Sequence, residues 1–183
     1  MNRVVVFVAD GFEECEALIV VDILKRAKCD VNMVSIMGRK EIISAHGVSI
    51  VSDELVESVD LDSYDMVVLP GGLPGTEHLA NNRIVRDVCL KYADEDKTIA
   101  AICAAPSILA NLGLLEGRNA TCHPSFEKKM HSAIITGKPI EVSGNIITAR
   151  GLGVAIPFAL ELVKQLEGLE VSKAIAESIS YFG

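Results

Sequence analysis

The sequence predicts an α/β sandwich, in which helices cover both faces of a largely parallel sheet. Three observations favour this class. Short aliphatic runs flanked by Gly, Pro, Asn or Asp recur along the chain, several of them are apolar at consecutive positions, and segments with helical periodicity separate them. A run without alternation is typical of a strand that is buried on both faces. Strands that alternate with helices in this way are typical of a parallel sheet.

The elements follow from these patterns in chain order. The predicted strands are Val4–Ala9, Val31–Ile36, Met66–Leu69, Thr98–Ile102 and Ile146–Ala149. The predicted helices are Glu14–Ala27, Ile84–Ala93, Pro106–Leu112, Pro124–His131, Val154–Glu167 and Val171–Ser178. Turn residues between short β-like stretches predict two antiparallel hairpins, Glu41–Val51 and Ile140–Thr148, which decorate the sheet without extending its repeat. Because we find no internal repeat or linker, we expect one domain over residues 1–183.

The first predicted helix is apolar on almost every side, and its polar residues come late, at Asp22, Lys25 and Arg26. A helix of this kind is normally covered on both sides. One side is expected to lie on the sheet, and the other is covered either by a second subunit or by the rest of the same chain. Asp22 and Arg26 are four residues apart and are expected to pair.

Composition excludes several classes of function. The net charge of -8 repels nucleic acid and anionic lipid, and the aromatic content of 4% leaves few platforms for stacking bases. No apolar stretch approaches the roughly 18 residues that span a bilayer. Five cysteines without a CxxC pair do not suggest a disulfide framework. We therefore expect a cytoplasmic protein with no nucleic-acid or membrane partner.

Cys103 is the main candidate for chemistry. It stands between a predicted strand and a predicted helix that opens with Ala104, Ala105 and Pro106. A strand, a cysteine and a helix in succession outline a nucleophile elbow, in which a sharp turn exposes the side chain and nearby peptide dipoles stabilise the thiolate. The alternative is an inert cysteine that packs as a small hydrophobic residue.

Other strand ends offer groups that could act with this sulfur. Gly71 and Gly72 follow a buried strand and present backbone N–H groups, which suit either an oxyanion hole or a simple tight turn. Glu16 opens the first helix where it becomes apolar, so its pKa is expected to rise, and a protonated carboxyl can bond to a thiolate. His123 follows a short β-like stretch and is the histidine best placed as a general base, or else makes a structural hydrogen bond.

Cofactor and metal motifs are absent from the sequence. The segment Gly151–Leu152–Gly153 follows a strand, but Ile156 stands where a dinucleotide fingerprint requires Gly or Ala. We find neither a phosphate loop nor a zinc-type spacing of His and Cys. The sequence therefore predicts chemistry without a cofactor or a metal.

Five motifs, EECEA, VVLPGG, AAICAAP, TCHP and TARGLG, occur in order along the chain and resemble the ThiJ/PfpI superfamily. The branch that the chain resembles most is the parkinsonism-associated deglycase group and its bacterial relatives. The resemblance implies a flavodoxin-like three-layer sandwich of the class I glutamine amidotransferase type. It also implies a homodimer formed through the first helix.

The resemblance assigns roles to the candidate residues. Cys103 would be the nucleophile, Glu16 a protonated carboxyl against its sulfur, and His123 a nearby histidine. The anion pocket would comprise the backbone of Gly71, Gly72 and Ala104, with Arg150 beside it. Protease-like members carry His directly after the cysteine, where this chain has Ala104, so proteolysis is not expected.

The implied activity is that of a glyoxalase or protein deglycase, in which Cys103 attacks a small reactive carbonyl, or an early glycation adduct of one, to form a hemithioacetal. The same residues allow an alternative, a sensor of oxidative stress or a redox-regulated chaperone that works through oxidation of Cys103. The family name also attaches to thiamine biosynthesis, for which the chain lacks a kinase phosphate loop.

Overall fold

A seven-stranded sheet organises the computed structural model, which describes residues 1–182. In chain order the strands are β1 (Arg3–Val8), β2 (Asp30–Ser35), β3 (Glu41–Ile43), β4 (Ser49–Val51), β5 (Glu54–Leu55), β6 (Met66–Leu69), β7 (Thr98–Ile102), β8 (Asn119–Ala120), β9 (Ile134–Ile135), β10 (Ile140–Ser143) and β11 (Ile146–Ala149). The main sheet has the order β10-β11-β7-β6-β1-β2-β5, and its pairs are parallel except for β10 with β11. The predicted fold class is confirmed.

Six α-helices flank the strands. They are α1 (Glu14–Arg26), α2 (Gly75–Asn81), α3 (Arg83–Asp94), α4 (Pro106–Asn111), α5 (Ala155–Glu167) and α6 (Leu169–Ser178). The prediction missed α2, which is short, and it was wrong about the segment after His123, where Pro124–Lys129 is a 3₁₀ helix. Within residues 1–182, no helix combines the length and the apolar character that a bilayer crossing requires.

The two faces of the sheet bury separate hydrophobic layers. Side chains alternate along β1, so Val4, Val6 and Val8 face one layer while Val5 and Phe7 face the other. Helices α1 and α5 cover the first layer, and α3 and α4 cover the second. Each large aliphatic side chain buried in this way contributes about 1.5–3 kcal/mol of transfer free energy. The strand ends that carry the candidate residues therefore belong to a rigid frame.

The two predicted hairpins differ in their relation to the sheet. Strands β3 and β4 pair only with each other, as a hairpin beside the main sheet. Strand β10, in contrast, forms the edge of the main sheet, antiparallel to β11. The expectation that both hairpins only decorate the sheet is therefore wrong for β10. Its tight turn at Gly144, where φ is +63°, folds the chain back onto the free edge of β11.

One face of α1 lies outside the hydrophobic layers. Leu18 is 37% exposed and lines a groove of about 550 Å³ together with residues of α5 and the end of α6. Asp22 and Arg26 lie on the same groove and form the predicted pair, with Arg26 Nε 2.8 Å from Asp22 Oδ2. The described chain thus leaves an apolar strip on α1 uncovered.

Candidate active site

A cavity of about 550 Å³ opens at the carboxyl ends of the parallel strands. In an open parallel sheet this edge is where loops from several strands meet. The cavity is lined by Glu13, Glu16, His46, Cys103, His123, Pro124, Arg150, Gly151, Leu152, Gly153 and Val154. The fold therefore brings together the candidate cysteine, carboxyl and histidine, which are far apart in the sequence.

Cys103 sits on a sharp turn directly after β7. Its φ is +65°, in the left-handed region that non-glycine residues rarely adopt. Holding a residue in this conformation costs about 1–3 kcal/mol. Two backbone hydrogen bonds hold this conformation. Cys103 N–H donates to the Ala149 carbonyl at 2.9 Å, and the Cys103 carbonyl accepts from His123 N–H at 2.8 Å. The turn leaves the side chain partly exposed to the cavity, as an elbow requires.

Glu16 lies in the first turn of α1 and is only 1% exposed. Its carboxylate oxygen Oε2 accepts a hydrogen bond from Gly71 N–H at 2.9 Å. Its own backbone N–H donates to Glu13 Oε2 at 2.6 Å, so Glu13 caps the helix and fixes the position of Glu16. Burial raises the pKa of Glu16 to about 7, as the sequence predicts in direction.

Gly71 packs against both the carboxyl of Glu16 and the side chain of Cys103. A Cβ at this position would lie 2.7 Å from Cys103 Cβ and 2.7 Å from Glu16 Oε2. No side chain fits between these atoms, so glycine is required. The N–H of Gly71 donates to Glu16, so Gly71 positions the carboxyl. The sequence instead predicted that this N–H would bind an anion in the pocket.

The protonation of Cys103 and that of Glu16 are coupled. Burial raises the pKa of the Cys103 thiol, and the charged form of Glu16 raises it further, while the N–H groups of Ala104 and Gly72 act in the opposite direction. This result is opposite to the lowered pKa expected from the sequence, because desolvation outweighs the two N–H groups. The sulfur can ionise readily only when its proton passes to Glu16, which also hydrogen bonds to it.

The remaining predicted pocket residues have defined partners. The N–H groups of Gly72 and Ala104 are directed at the Cys103 sulfur. Arg150 lines the cavity, and its Nη1 donates to the Gly137 carbonyl at 2.8 Å, which holds the guanidinium at the rim.

His123 caps the 3₁₀ helix that follows it. Its Nδ1 accepts from Ser125 N–H at 3.3 Å and lies 2.7 Å from Ser125 Oγ. The other edge of the ring faces the cysteine across Gly151. A Cβ placed on Gly151 would lie 3.7 Å from His123 Cδ2 and 3.8 Å from Cys103 Sγ. The imidazole of His123 and the sulfur of Cys103 are therefore close neighbours, and the described residues show no direct hydrogen bond between these two groups.

His46 is not among the site residues that the sequence predicted, yet it lines the cavity. His46 lies in the turn between β3 and β4, and its Nδ1 is 3.0 Å from Glu14 Oε1 and 3.1 Å from Oε2. With Glu13 the two residues form a cluster whose ligand-type atoms lie within 4.8 Å of one another. Protein partners account for this cluster, since Glu13 caps α1 and Glu14 pairs with His46. The sequence signal that bears on His46 is the predicted hairpin, whose turn lies next to the first helix in the structure.

A parallel α/β sandwich with an elbow cysteine and a buried carboxyl at its strand ends defines a class of cysteine-centred α/β proteins. Residues 2–165 match the model of the DJ-1/PfpI family, and the chain belongs to that family. The resemblance stated from the motifs is thereby confirmed.

Relatives of the parkinsonism-associated branch match most of the chain. It is 34% identical to Parkinson disease protein 7 homolog of Danio rerio over 178 residues, which covers 95% of this chain and 94% of that protein. It is 37% identical to protein DJ-1 homolog B of Arabidopsis thaliana over 177 residues, or 94% of this chain, but it spans only 40% of the length of that relative. The structure of oxidized Toxoplasma gondii DJ-1 superposes with a TM-score of 0.96 at 33% identity, with all of both chains covered.

Proposed function

We propose that the protein is a cysteine-dependent enzyme that converts small reactive carbonyls to hydroxy acids, of the glyoxalase or deglycase type. The observation that supports this proposal most strongly is the hydrogen bond between the Glu16 carboxyl and the Cys103 sulfur, with both groups packed against Gly71. A carboxyl with a pKa near 7 is matched to proton transfer at neutral pH.

The first step joins the substrate to the sulfur. As Cys103 Sγ attacks the aldehyde carbon of methylglyoxal, the thiol proton passes to Glu16 and a hemithioacetal forms. The N–H groups of Gly72 and Ala104 stabilise negative charge at this point, and His123 lies beside it. Removal of one donor from an oxyanion hole typically costs about 2.7–4 kcal/mol.

The second step moves a proton within the bound adduct. Glu16 gives the thiol proton to the hemithioacetal oxygen and so returns to its ionised form, then takes the proton from the former aldehyde carbon and delivers it to the neighbouring carbon. The proton of the hemithioacetal hydroxyl passes to the ketone oxygen, so the ketone becomes a hydroxyl and the former aldehyde carbon becomes the thioester carbonyl. Addition of water then releases lactate and frees the sulfur, so no external oxidant or reductant is required.

Lactate formation from methylglyoxal tests the proposal. The wild-type protein is expected to yield one lactate for each methylglyoxal consumed, while Cys103→Ala yields only the uncatalysed background. Cys122→Ala is the matched control, since Cys122 is buried outside the cavity and its loss is expected to spare turnover. Equal rates in the wild type and Cys103→Ala, or no lactate from either, would rule out this function.

We also propose that a second copy of the chain covers the uncovered strip on α1. The support is the groove at Leu18, whose apolar walls carry the Asp22–Arg26 pair, and the homodimer that the family resemblance implies. Sedimentation velocity is expected to give twice the mass of one chain, and Leu18→Glu is expected to shift the protein towards monomer. A wild-type protein that sediments as a monomer at micromolar concentration would contradict this assignment.

A further inference from the structure

The cavity contains two histidines whose ring nitrogens are committed in opposite ways. His123 Nδ1 accepts from Ser125 N–H, so the neutral ring carries its proton on Nε2. In that tautomer Nε2 can donate to an oxygen, but it has no lone pair with which to take a proton. The hydrogen bonding of His123 therefore suits a donor and does not suit a base acting on the cavity.

His46 has the opposite arrangement. Its Nδ1 contacts both oxygens of the Glu14 carboxylate, which can only accept, so Nδ1 carries the proton. The lone pair of the neutral ring is then on Nε2. A carboxylate that fixes the tautomer and supports the positive charge of a protonated imidazole is the arrangement by which histidine bases are generally activated. The Glu14 side chain is only 13% exposed, whereas that of His46 is 68% exposed at the cavity rim.

The turn that carries His46 is fixed to the floor of the site. Ala45 N–H donates to the Phe12 carbonyl at 2.8 Å, and Ser44 N–H donates to the Val48 carbonyl at 2.9 Å. Phe12 directly precedes Glu13, the cap of α1. His46 is therefore held against the cavity by backbone hydrogen bonds, although its ring is reached by solvent.

We propose that His46, oriented by Glu14, is the general base that activates water to release an acyl group from Cys103. This inference rests on the covalent function proposed above and divides its proton transfers between two groups. Glu16 is buried against the sulfur and serves the steps at the bound carbonyl. His46 stands at the solvent-facing rim and serves the step that consumes water.

The release step balances as follows. The water oxygen bonds to the thioester carbon while one of its protons passes to His46 Nε2. The carbon–sulfur bond then breaks, the carboxylic acid leaves, and the sulfur departs as a thiolate. His46 returns the proton to this thiolate, so both His46 and Cys103 regain their initial states.

The charged surroundings set the pH dependence of this step. The hydrogen bond with Glu14 raises the pKa of His46, and Glu13 acts in the same direction. The other ionisable groups that line the cavity are Glu16, Cys103, His123 and Arg150. Because only the neutral ring is a base, the release rate is expected to rise with pH through this raised pKa and then to level off.

The test separates acyl release from the natural substrate. p-Nitrophenyl acetate transfers its acetyl group to a reactive thiol with loss of p-nitrophenolate, so it loads Cys103 whatever the physiological carbonyl is. After excess reagent is removed, mass spectrometry of the Cys103 peptide follows the loss of acetyl. In His46→Gln, acetylation at neutral pH is expected at the wild-type rate, while release slows about a hundredfold, as is typical when a general base is removed.

Two further observations distinguish a base from a structural residue. Free imidazole is expected to restore release in His46→Gln, because the rim is open to solvent, and the rise of the release rate with pH is expected to vanish. His131→Gln, at a histidine outside the cavity, is the matched control and should release acetyl normally. Release from His46→Gln at the wild-type rate, or an equal loss of acetylation and release, would overturn the inference.

The outcome is independent of the methylglyoxal assay. If no lactate forms but acetyl release depends on His46, the proposed substrate fails and the base assignment stands. If lactate forms and release does not depend on His46, the proposed substrate stands and the base assignment fails. If Cys103 cannot be acetylated in the folded wild type, both proposals are overturned.

Discussion

Glu16→Gln is expected to slow carbonyl turnover about a hundredfold while stabilising the folded protein at neutral pH. The loss of rate follows from removing the buried carboxyl that exchanges protons with the sulfur, a contribution typically worth about 10²–10⁴-fold. The gain in stability follows from burial, which raises the pKa of this carboxyl from 4.5 to about 7. The folded state binds the proton more tightly than the unfolded state, so stability falls as pH rises from the unfolded to the folded pKa.

The magnitude of this stability effect follows from the shift. Moving a carboxyl pKa from 4.5 to about 7 corresponds to about 3 kcal/mol lost above pH 7. Gln is not ionised and avoids this loss, though it makes a weaker hydrogen bond, which leaves a net gain of about 2 kcal/mol. Urea unfolding at pH 5 and pH 8 measures the effect, with the exposed Glu116→Gln as control. A variant no more stable than wild type at pH 8 would contradict the buried charge.

Gly72→Ala is expected to destabilise the protein by about 2–5 kcal/mol, from overpacking and a left-handed backbone together. Gly72 has a φ of +90°, and an added Cβ would lie 2.3 Å from Glu13 N and 2.6 Å from the Gly11 carbonyl oxygen. These contacts are with backbone atoms, which cannot rotate away. The Glu13 cap and the N–H group at the sulfur would be displaced together, so activity is expected to be lost as well.

Gly113→Ala separates the two causes. Gly113 has a φ of +77°, but nothing lies within 4 Å of an added Cβ. It is therefore expected to cost only the backbone strain, about 1–2 kcal/mol. Thermal unfolding of both variants measures the difference. If Gly72→Ala costs no more than Gly113→Ala, the tight approach of the two loops at the site is refuted.

The central strands and the elbow are predictable because their signals are local. Strands β1, β6, β7 and β11 lie inside the sheet and are buried on both faces. Their aliphatic sequences follow directly from this burial. Cys103 is recognisable because the strand, the turn and the proline that opens the helix are consecutive. Glu16 is found from the point at which one helix becomes apolar.

The electrostatics of the site depend on contacts between distant segments and were not predictable. The sequence suggests that peptide dipoles ionise Cys103, whereas in the structure burial and the charge of Glu16 raise the pKa of the thiol. His46 is not predicted as a site residue, because the hydrogen bond between Ala45 and Phe12, which fixes its turn at the site, joins residues far apart in the chain. The hydrogen bond from Gly71 N–H to the Glu16 carboxyl also joins distant segments, so the sequence does not predict it.

The rate of Cys103 alkylation by iodoacetamide as a function of pH tests the shared proton most directly. In the wild type, the rate is expected to rise with pH and to level off above about pH 7, where Glu16 ionises and its charge raises the pKa of the thiol. In Glu16→Gln no such charge forms, so the rate should keep rising above pH 7 and exceed the wild-type rate about tenfold one pH unit higher. Superimposable profiles for the two proteins would contradict the account.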